Sequence, residues 1–282
     1  MTERLAEAGR RIENVHQLEL VVTAMRGIAA SRIQQAHALL PTLRAHASVI
    51  ARGIGQVLAQ LPAEHSSGRV GSRRAATILF CAEQGFAGAF SDRMLDEVVH
   101  RAGGHDLFLI GTRGAILASE RRIKSVWQAA MVPHASLVPV LAGRIAAALY
   151  AWLAGSVQPT VEVIVPAWSA ADGVAPVRRS LLPFDFRRFA VPLSGQPPLT
   201  TLPPPVLLAR LAEEYLFSEL CEAALTAFAA ENEARVAVML TAKNNIERMR
   251  SDLEALARQI RQEEITAEVV ELASSGAIGL RA

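Results

Sequence analysis

The sequence predicts an α/β fold in which a long helix from each end pairs as an antiparallel coiled coil beside a small central domain. Apolar residues recur at alternating steps of three and four at both ends, which is the spacing of a coiled-coil seam. Strand-like and helix-like segments alternate in the middle. The chain is 51% hydrophobic but only 5% aromatic, a composition typical of long helices. The predicted domains are residues 1–61, 75–183, 184–204 and 205–282.

The N-terminal helix is predicted from about Arg4 to Leu61. Between Ala29 and Ile33 two steps of four follow each other, a stutter that locally unwinds a supercoil. Pro41 predicts a kink. The apolar stripe consists of Val15, Leu18, Val22, Met25, Ala29, Ile33, Ala36, Leu40, Leu43, Ala47, Ile50, Ile54, Val57 and Leu61.

The C-terminal helix is predicted from Pro205 to about Leu272, since proline is well tolerated at the first helical position. At 1.5 Å per residue the two helices would be roughly 85 and 100 Å long, so we expect the pair to protrude from the central domain. The second stripe consists of Leu211, Tyr215, Leu225, Ala229, Val236, Met239, Ile246, Met249, Leu253, Leu256 and Ile260.

Charge favours pairing between the two helices. No acid occurs from Leu20 to Gln60, whereas thirteen acids and seven Lys or Arg occur from Pro205 to Leu272. Opposite charges flanking a seam favour hetero-pairing over self-association. The alternative is two unrelated amphipathic helices that pack on a globular core.

The central segment predicts a small Rossmann-like α/β domain with a largely parallel sheet. Leu181-Leu182-Pro183 closes this domain, and the proline-rich residues 184–204 follow as an extended connector. Ser91 is the predicted cap of the first internal helix. The predicted strands are Ala76–Ala82, Asp106–Ile110 and Thr160–Val165, and the apolar helix is Val138–Leu153.

One apolar stretch resembles a membrane span in composition. Residues 136–157 carry a single charge, Arg144, in the middle. An arginine at the centre of a span costs about 2.5–3.5 kcal/mol on insertion scales, so we expect a buried helix and no direct membrane span. The N-terminal residues mix acids and arginines, and no secretory signal is expected.

Composition and motifs argue against several functions. The net charge of +2 is too small to indicate nucleic acid as a partner. Cys81 and Cys221 match no metal or redox spacing, and the histidines match no zinc motif. The turns at Gly85 and Gly111 lack a complete phosphate-binding fingerprint, so we interpret both as plain strand-to-helix turns. We expect no catalytic residue, cofactor or metal, and hence a non-enzymatic chain.

Several short motifs together resemble the gamma subunit of F-type ATP synthases. The N-terminal helix carries Ala24-Met25 and Ile28-Ala29-Ala30-Ser31-Arg32-Ile33, and the middle domain carries Gly85-Phe86 with Gly88 and Leu181-Leu182-Pro183. The C-terminal helix carries Glu231, Arg235, Met239, Ala242 and Asn245, then Arg261-Gln262, Ile265-Thr266 and Glu268, and ends with Gly276-Ala277. These motifs occur in the order and spacing of the family, and together they extend over nearly the whole chain.

The resemblance implies a rotor shaft on the cytoplasmic face of a bacterial inner membrane. Its partners would be the alpha and beta subunits of the catalytic head, the small epsilon subunit and the membrane c-ring. The implied contacts to the ring of head subunits are Met25, Arg32, Arg235, Met239, Asn245, Arg261 and Gln262. An apolar tip formed by Leu272, Ala273, Ala277 and Ile278, with the helix ending at Ser274-Ser275-Gly276, would turn in a sleeve of the head.

The chain departs from the family pattern at Gly27, Glu83 and Ala87, which suggests a divergent bacterial member, an alternative F-type ATPase being one origin. Two other functions stay open at the level of sequence. One is a coiled-coil adaptor or tether with a ligand-binding α/β domain, and the other is an enzyme that binds a ligand at the Gly85 turn.

Overall fold

A computed structural model describes residues 3–61, 74–99, 104–154, 159–191 and 198–279, with side chains up to residue 271. The chain divides into two compact units: Met1–Ile28 together with Val236–Ala282, and Ala29–Arg235. Helix α1 (Glu3–Leu58) and helix α5 (Pro204–Gly279) each contribute to both units.

Helix α1 has 56 residues and continues through Pro41, so the proline does not end it. Its buried or half-buried residues include a line that repeats every seven positions: Ala8, Val15, Val22, Ala29, Ala36, Leu43, Ile50 and Val57. This line continues without a break past the predicted stutter. The stutter affects only the other apolar line of the predicted stripe, which runs through Leu18 and Met25 and then shifts by one position to Ile33 and Leu40. Of the predicted stripe, only Leu18 is exposed, at 55%.

Helix α5 has 76 residues and begins at Pro204. It runs to Gly279, so the predicted end at Ser274–Gly276 is wrong. Buried and half-buried residues again recur every seven positions, at Met239, Ile246, Leu253 and Ile260. The predicted stripe residues Met249 and Leu256 are exposed, because the second line of half-buried positions passes one residue later, through Arg250 and Ala257.

The first unit holds the N-terminal part of α1 and the C-terminal part of α5. Arg250 Nη1 lies 2.9 Å from Glu19 Oε2, and Arg4 Nη1 lies 3.6 Å from Glu263 Oε2. A residue early in α1 therefore faces a residue late in α5, and the two segments run antiparallel. The Arg4–Glu263 pair has the expected polarity, with the base on α1 and the acid on α5. The shorter pair has the opposite polarity, and its acid, Glu19, lies just before the acid-free stretch of α1.

The second unit contains a five-stranded sheet in the order β3-β2-β1-β4-β5. Strands β1, β2, β3 and β4 are parallel, and β5 pairs antiparallel with β4. The strands are β1 (Ala75–Phe80), β2 (His105–Ile110), β3 (Trp127–Ala129), β4 (Thr160–Ser169) and β5 (Gly173–Leu182). The helices are α2 (Phe90–Val99), α3 (Thr112–Glu120) and α4 (Val138–Leu153).

Both faces of the sheet are buried, and successive side chains of β1 point to opposite faces. Ile78 and Phe80 join a core with α4 and α5, whereas Leu79 joins a core with α2 and α3. Buried residues of α5 such as Leu220 and Phe228 lie in the first core. Helix α5 is consequently buried on more than one side between Tyr215 and Arg235. The predicted single apolar stripe therefore includes only some of the buried residues in this stretch.

Three local predictions differ from the structure. Strands β3 and β5 were not expected, since β3 has three residues and β5 interrupts its apolar residues with Pro176, Arg178 and Arg179. Ser91 lies inside α2 and does not cap it; its Oγ accepts a hydrogen bond of 3.1 Å from the Ala82 N–H.

The connector begins as a packed segment and not as an extended chain. A 3₁₀ turn forms at Phe186–Arg188, and Phe189 is buried beside Ile54 and Tyr215. The Arg188 guanidinium lies 4.9 Å from the Tyr215 ring centroid and donates a hydrogen bond to Glu219 at 2.8 Å.

Among the described residues, one helical stretch, Ala135–Leu153, is long and apolar enough to cross a membrane. Its residues Leu141, Ile145 and Leu149 are buried against the sheet. This packing explains the apolar composition as that of a core helix.

Candidate functional site

A densely hydrogen-bonded polar cluster lies where the turn after β1 meets α5. The N–H groups of Glu83 and Gln84 donate to the two carboxylate oxygens of Glu231, at 3.0 and 3.2 Å. The turn between β1 and α2 includes Phe86 and Gly88 at φ values of 61° and 62°. Glycine adopts such a φ readily, whereas phenylalanine does so only under constraint from its surroundings.

Arg235 completes this cluster from one turn further along α5. Its Nη2 lies 2.5 Å from Glu231 Oε1, its Nη1 donates to Asn232 at 2.9 Å and its Nε donates to the Gly85 carbonyl at 3.4 Å. Both charged side chains are 5% exposed. A buried ion pair is tolerated when hydrogen bonds satisfy its remaining donors and acceptors, as they do here.

Glu83 extends the cluster to the neighbouring strands. Its carboxylate accepts from the Thr112 N–H at 2.9 Å, the Thr112 hydroxyl at 2.7 Å and the Met131 N–H at 2.8 Å. Thr112 is the first residue of α3, so Glu83 satisfies one of the free N–H groups at that helix start. One acid therefore joins the segments that follow β1, β2 and β3.

A small cavity of about 190 Å³ adjoins the cluster. Its lining includes the half-buried Arg32 of α1 and four residues of the cluster, Glu83, Gln84, Glu231 and Arg235. The described residues contain no group of three His, Cys, Asp or Glu that could hold a metal ion.

The two cysteines, Cys81 and Cys221, are buried and have unreactive thiols. Burial is the main cause that raises the pKa of each thiol, that of Cys221 to about 12. Because the thiolate is the reactive species, neither side chain has the character of a nucleophile.

The glycines of the Gly111–Gly114 turn are required by close packing. Gly111 has a φ of 112°, and a Cβ on Gly114 would lie 2.0 Å from the Cβ of Cys81. The Gly114 N–H donates to the Ala82 carbonyl at 3.2 Å. This geometry supports the interpretation of the motif as a strand-to-helix turn.

The expected ring contacts differ in exposure. Arg235 and Met239 are buried within the chain, at 4% and 2%, so neither side chain presents a surface to another protein. Met25 and Arg32 are half-buried, and exposed side chains are found at Asn245, Arg261 and Gln262. The tip residues Leu272, Ala273, Ala277 and Ile278 lie outside the residues whose side chains are described.

Sequence reasoning missed the partners in this cluster. Glu231 and Arg235 were identified through a family motif, but their hydrogen bonds to a turn about 150 positions earlier in the chain were not. Glu83 was noted as a departure from the family pattern. The available signal was an acid directly after a buried strand, where free N–H groups of neighbouring turns gather.

Comparison with known proteins identifies the family. The ATP synthase family profile matches residues 4–278. The ATP synthase gamma chain of Frankia casuarinae is 30% identical over 287 aligned positions, covering 96% of each chain. The gamma chain of Beutenbergia cavernae is 25% identical over 280 positions, covering 94% of each chain.

Solved structures share the fold. A rotor chain of the Euglena gracilis mitochondrial ATP synthase aligns with a TM-score of 0.61 at 12% identity, covering 93% of this chain and 98% of its own. A chain from the central stalk and c-ring of the Tetrahymena thermophila mitochondrial enzyme aligns with a TM-score of 0.55 at 16% identity, covering 79% and 99%. With the profile spanning nearly all residues and a relative at 30% identity, this chain belongs to the ATP synthase gamma chain family.

Proposed function

We propose that this chain is the central rotor shaft of a rotary F-type ATP synthase and couples ion flow through the membrane sector to ATP synthesis or hydrolysis in the head. The observation that carries the proposal is the family match across residues 4–278 together with gamma chain relatives that align over 94–96% of their own length. The chain itself is a non-catalytic stalk subunit. Its partners are the alpha and beta subunits, the epsilon subunit and the c-ring, on the cytoplasmic face of a bacterial inner membrane.

The long helices act in this proposal as a coiled coil. Support comes from the seven-residue repeat of buried positions in α1 and α5 and from the antiparallel ion pairs Glu19–Arg250 and Arg4–Glu263. Residues 1–61 and 205–282 supply the shaft, residues 75–183 the α/β domain and residues 184–204 the connector. A single asymmetric shaft contacts identical catalytic subunits differently, and this difference drives them into different states.

Arg261 and Gln262 are the proposed contacts between the shaft and one catalytic subunit. Both side chains are exposed, and they follow Ile260, which is 5% exposed. Arginine offers a planar fork of donors for a carboxylate, and glutamine adds a donor and an acceptor. Met25, Arg32 and Asn245 remain proposed contacts, whereas the burial of Arg235 and Met239 argues for a structural role of these two residues.

A shaft also has to resist torque between its helices and its α/β domain. Within the second unit, Glu231 and Arg235 hold α5 to the turn after β1, while Arg188 holds the connector to Tyr215 and Glu219 of α5. The Glu231 and Arg235 contacts are buried and therefore stiffer than mobile surface pairs, because their side chains have no alternative solvent partners, whereas the Arg188 side chain is 40% exposed. The arrangement suits mechanical transmission without chemistry.

Co-purification and rotation test the function. The full chain is co-expressed with the alpha and beta subunits of the same organism, and the complex is assayed for ATPase activity and for ATP-driven rotation of a bead attached to the α/β domain. We expect one copy of the chain per head and rotation in one direction.

The control is the same preparation without this chain, in which no directional rotation can occur. A chain that never enters the complex, or enters it without rotating, would return the molecule to the adaptor or tether alternative.

A further inference from the structure

The donors around Glu231 resemble an anion site more closely than an ordinary surface ion pair. Two consecutive backbone N–H groups, those of Glu83 and Gln84, each reach a different carboxylate oxygen, at 3.0 and 3.2 Å. The Arg235 guanidinium donates to the second of these oxygens at 2.5 Å. Successive N–H groups of a turn that point at one acceptor form a concave site that binds carboxylates and phosphates.

The site also lies where α/β sheets bind ligands. The chain moves from β1 through β2 to β3 on one side of the sheet, and β4 then pairs with the other side of β1. The order of strands reverses at β1, and crevices outside the carboxyl ends of strands at such a reversal commonly hold ligands. The turn after β1 is the segment that contacts Glu231.

Burial makes the site selective for an anion. The Arg235 side chain is 5% exposed and has Asn232 as its other side-chain partner. A buried guanidinium without a carboxylate nearby is strongly unfavourable, so this arrangement needs a negative charge at the position of the Glu231 carboxylate. A cavity of about 190 Å³, lined in part by Glu231 and Arg235, adjoins the site.

We infer that the turn after β1 and Arg235 form an oxyanion-binding site whose permanent occupant is the carboxylate of Glu231. The side chain of α5 thus takes the place that a ligand phosphate would occupy in a ligand-binding α/β domain. Two consequences follow. The wild-type chain has no vacancy for an external anion at this turn, and removal of the Glu231 carboxylate creates a site for a small carboxylate such as formate.

Chemical rescue tests the inference in the full chain. The Glu231→Ala variant should unfold at a lower temperature than the wild type, and sodium formate should raise its Tm with a saturable dependence that sodium chloride does not reproduce. At ten times its Kd, formate should raise the ratio of folded to unfolded protein about elevenfold. The amide resonances of Glu83 and Gln84 should shift with the same concentration dependence.

Two further variants serve as controls. Glu233→Ala removes another partly buried carboxylate of α5, which pairs with His37 at 3.5 Å and lies outside the site. Glu231→Gln keeps the site filled by a neutral side chain. We expect no specific formate effect in Glu233→Ala or Glu231→Gln, and none in the wild type.

If Glu231→Ala does not fold in buffer, its refolding yield as a function of formate concentration replaces the Tm as the readout, and formate should increase that yield. The inference is overturned if formate acts no differently from chloride on Glu231→Ala, or if it stabilises Glu233→Ala equally. Binding of formate to the wild type at the Glu83 and Gln84 amides would also contradict it, since the site would then be vacant.

Discussion

Replacing Arg235 with methionine should destabilise the isolated chain severely. Methionine keeps an unbranched apolar stem but removes the guanidinium, which hydrogen-bonds Glu231, Asn232 and the Gly85 carbonyl. The Glu231 carboxylate, 5% exposed, would then stay buried with two backbone N–H donors and no countercharge. Breaking a buried pair in this way costs about 3–5 kcal/mol.

That loss is a large part of the 5–15 kcal/mol that typically stabilises a folded domain. Because 1 kcal/mol lowers the Tm of a domain of 150–250 residues by about 2–4 °C, the variant should unfold roughly 10 °C below the wild type. Urea and thermal unfolding of the purified full chain, followed by circular dichroism, measure both quantities. Assembly with the head subunits should fall in parallel.

Two comparisons make the reasoning refutable. Arg210→Met removes an exposed partner of Glu213 from the same helix and should change stability little, as surface pairs generally do. Glu231→Gln combined with Arg235→Met leaves no unpaired charge and should be more stable than Arg235→Met alone. Equal stability of Arg235→Met and Arg210→Met, or no recovery in the double variant, would show that the buried charge does not dominate the energetics.

Two other substitutions have distinct expected outcomes. Gly114→Ala places a Cβ 2.0 Å from the Cβ of Cys81 and should cost about 1–3 kcal/mol in urea unfolding, whereas Gly27→Ala, whose Cβ would meet nothing within 4 Å, should raise stability by up to about 1 kcal/mol. The opposite ranking would contradict the packing of α3 on β1. Replacing Arg261 and Gln262 together with alanine should leave the Tm of the isolated chain unchanged but lower the ATPase activity of the assembled complex; unchanged activity would indicate merely solvated side chains.

Most of the fold could be predicted from the periodicity of apolar residues, because this periodicity shows which face of a helix or strand is buried. Helix α4 was predicted with the bounds that the structure has, Val138–Leu153, since its apolar residues and its proline near the start act locally. Strands β1, β2 and the start of β4 were also recognisable as short apolar runs. Strand β5 was not, because it is an edge strand whose side chains are mostly partly exposed or exposed, and its pairing with β4 depends on a distant partner.

The polar cluster, like strand β5, could not be predicted because its contacts depend on partners that are distant in sequence. A family motif identified Glu231 and Arg235 as notable, and it implied a contact of Arg235 with a partner subunit. The structure buries Arg235 against the turn after β1, at a distance of 150 positions along the chain. Hydrogen bonds between residues so far apart depend on how the sheet and α5 pack, and helical spacing alone contains no information about that packing.

The sequence by itself determined that two long helices begin and end the chain, that an α/β domain lies between them and that the motifs are those of a gamma chain. These features follow from local spacing and residue type, which act over one or two helical turns. Only the tertiary structure decided which polar residues meet. Glu83 lies 148 positions before Glu231, yet its N–H donates to the buried carboxylate that also pairs with Arg235, because a buried charge is too costly to leave without partners.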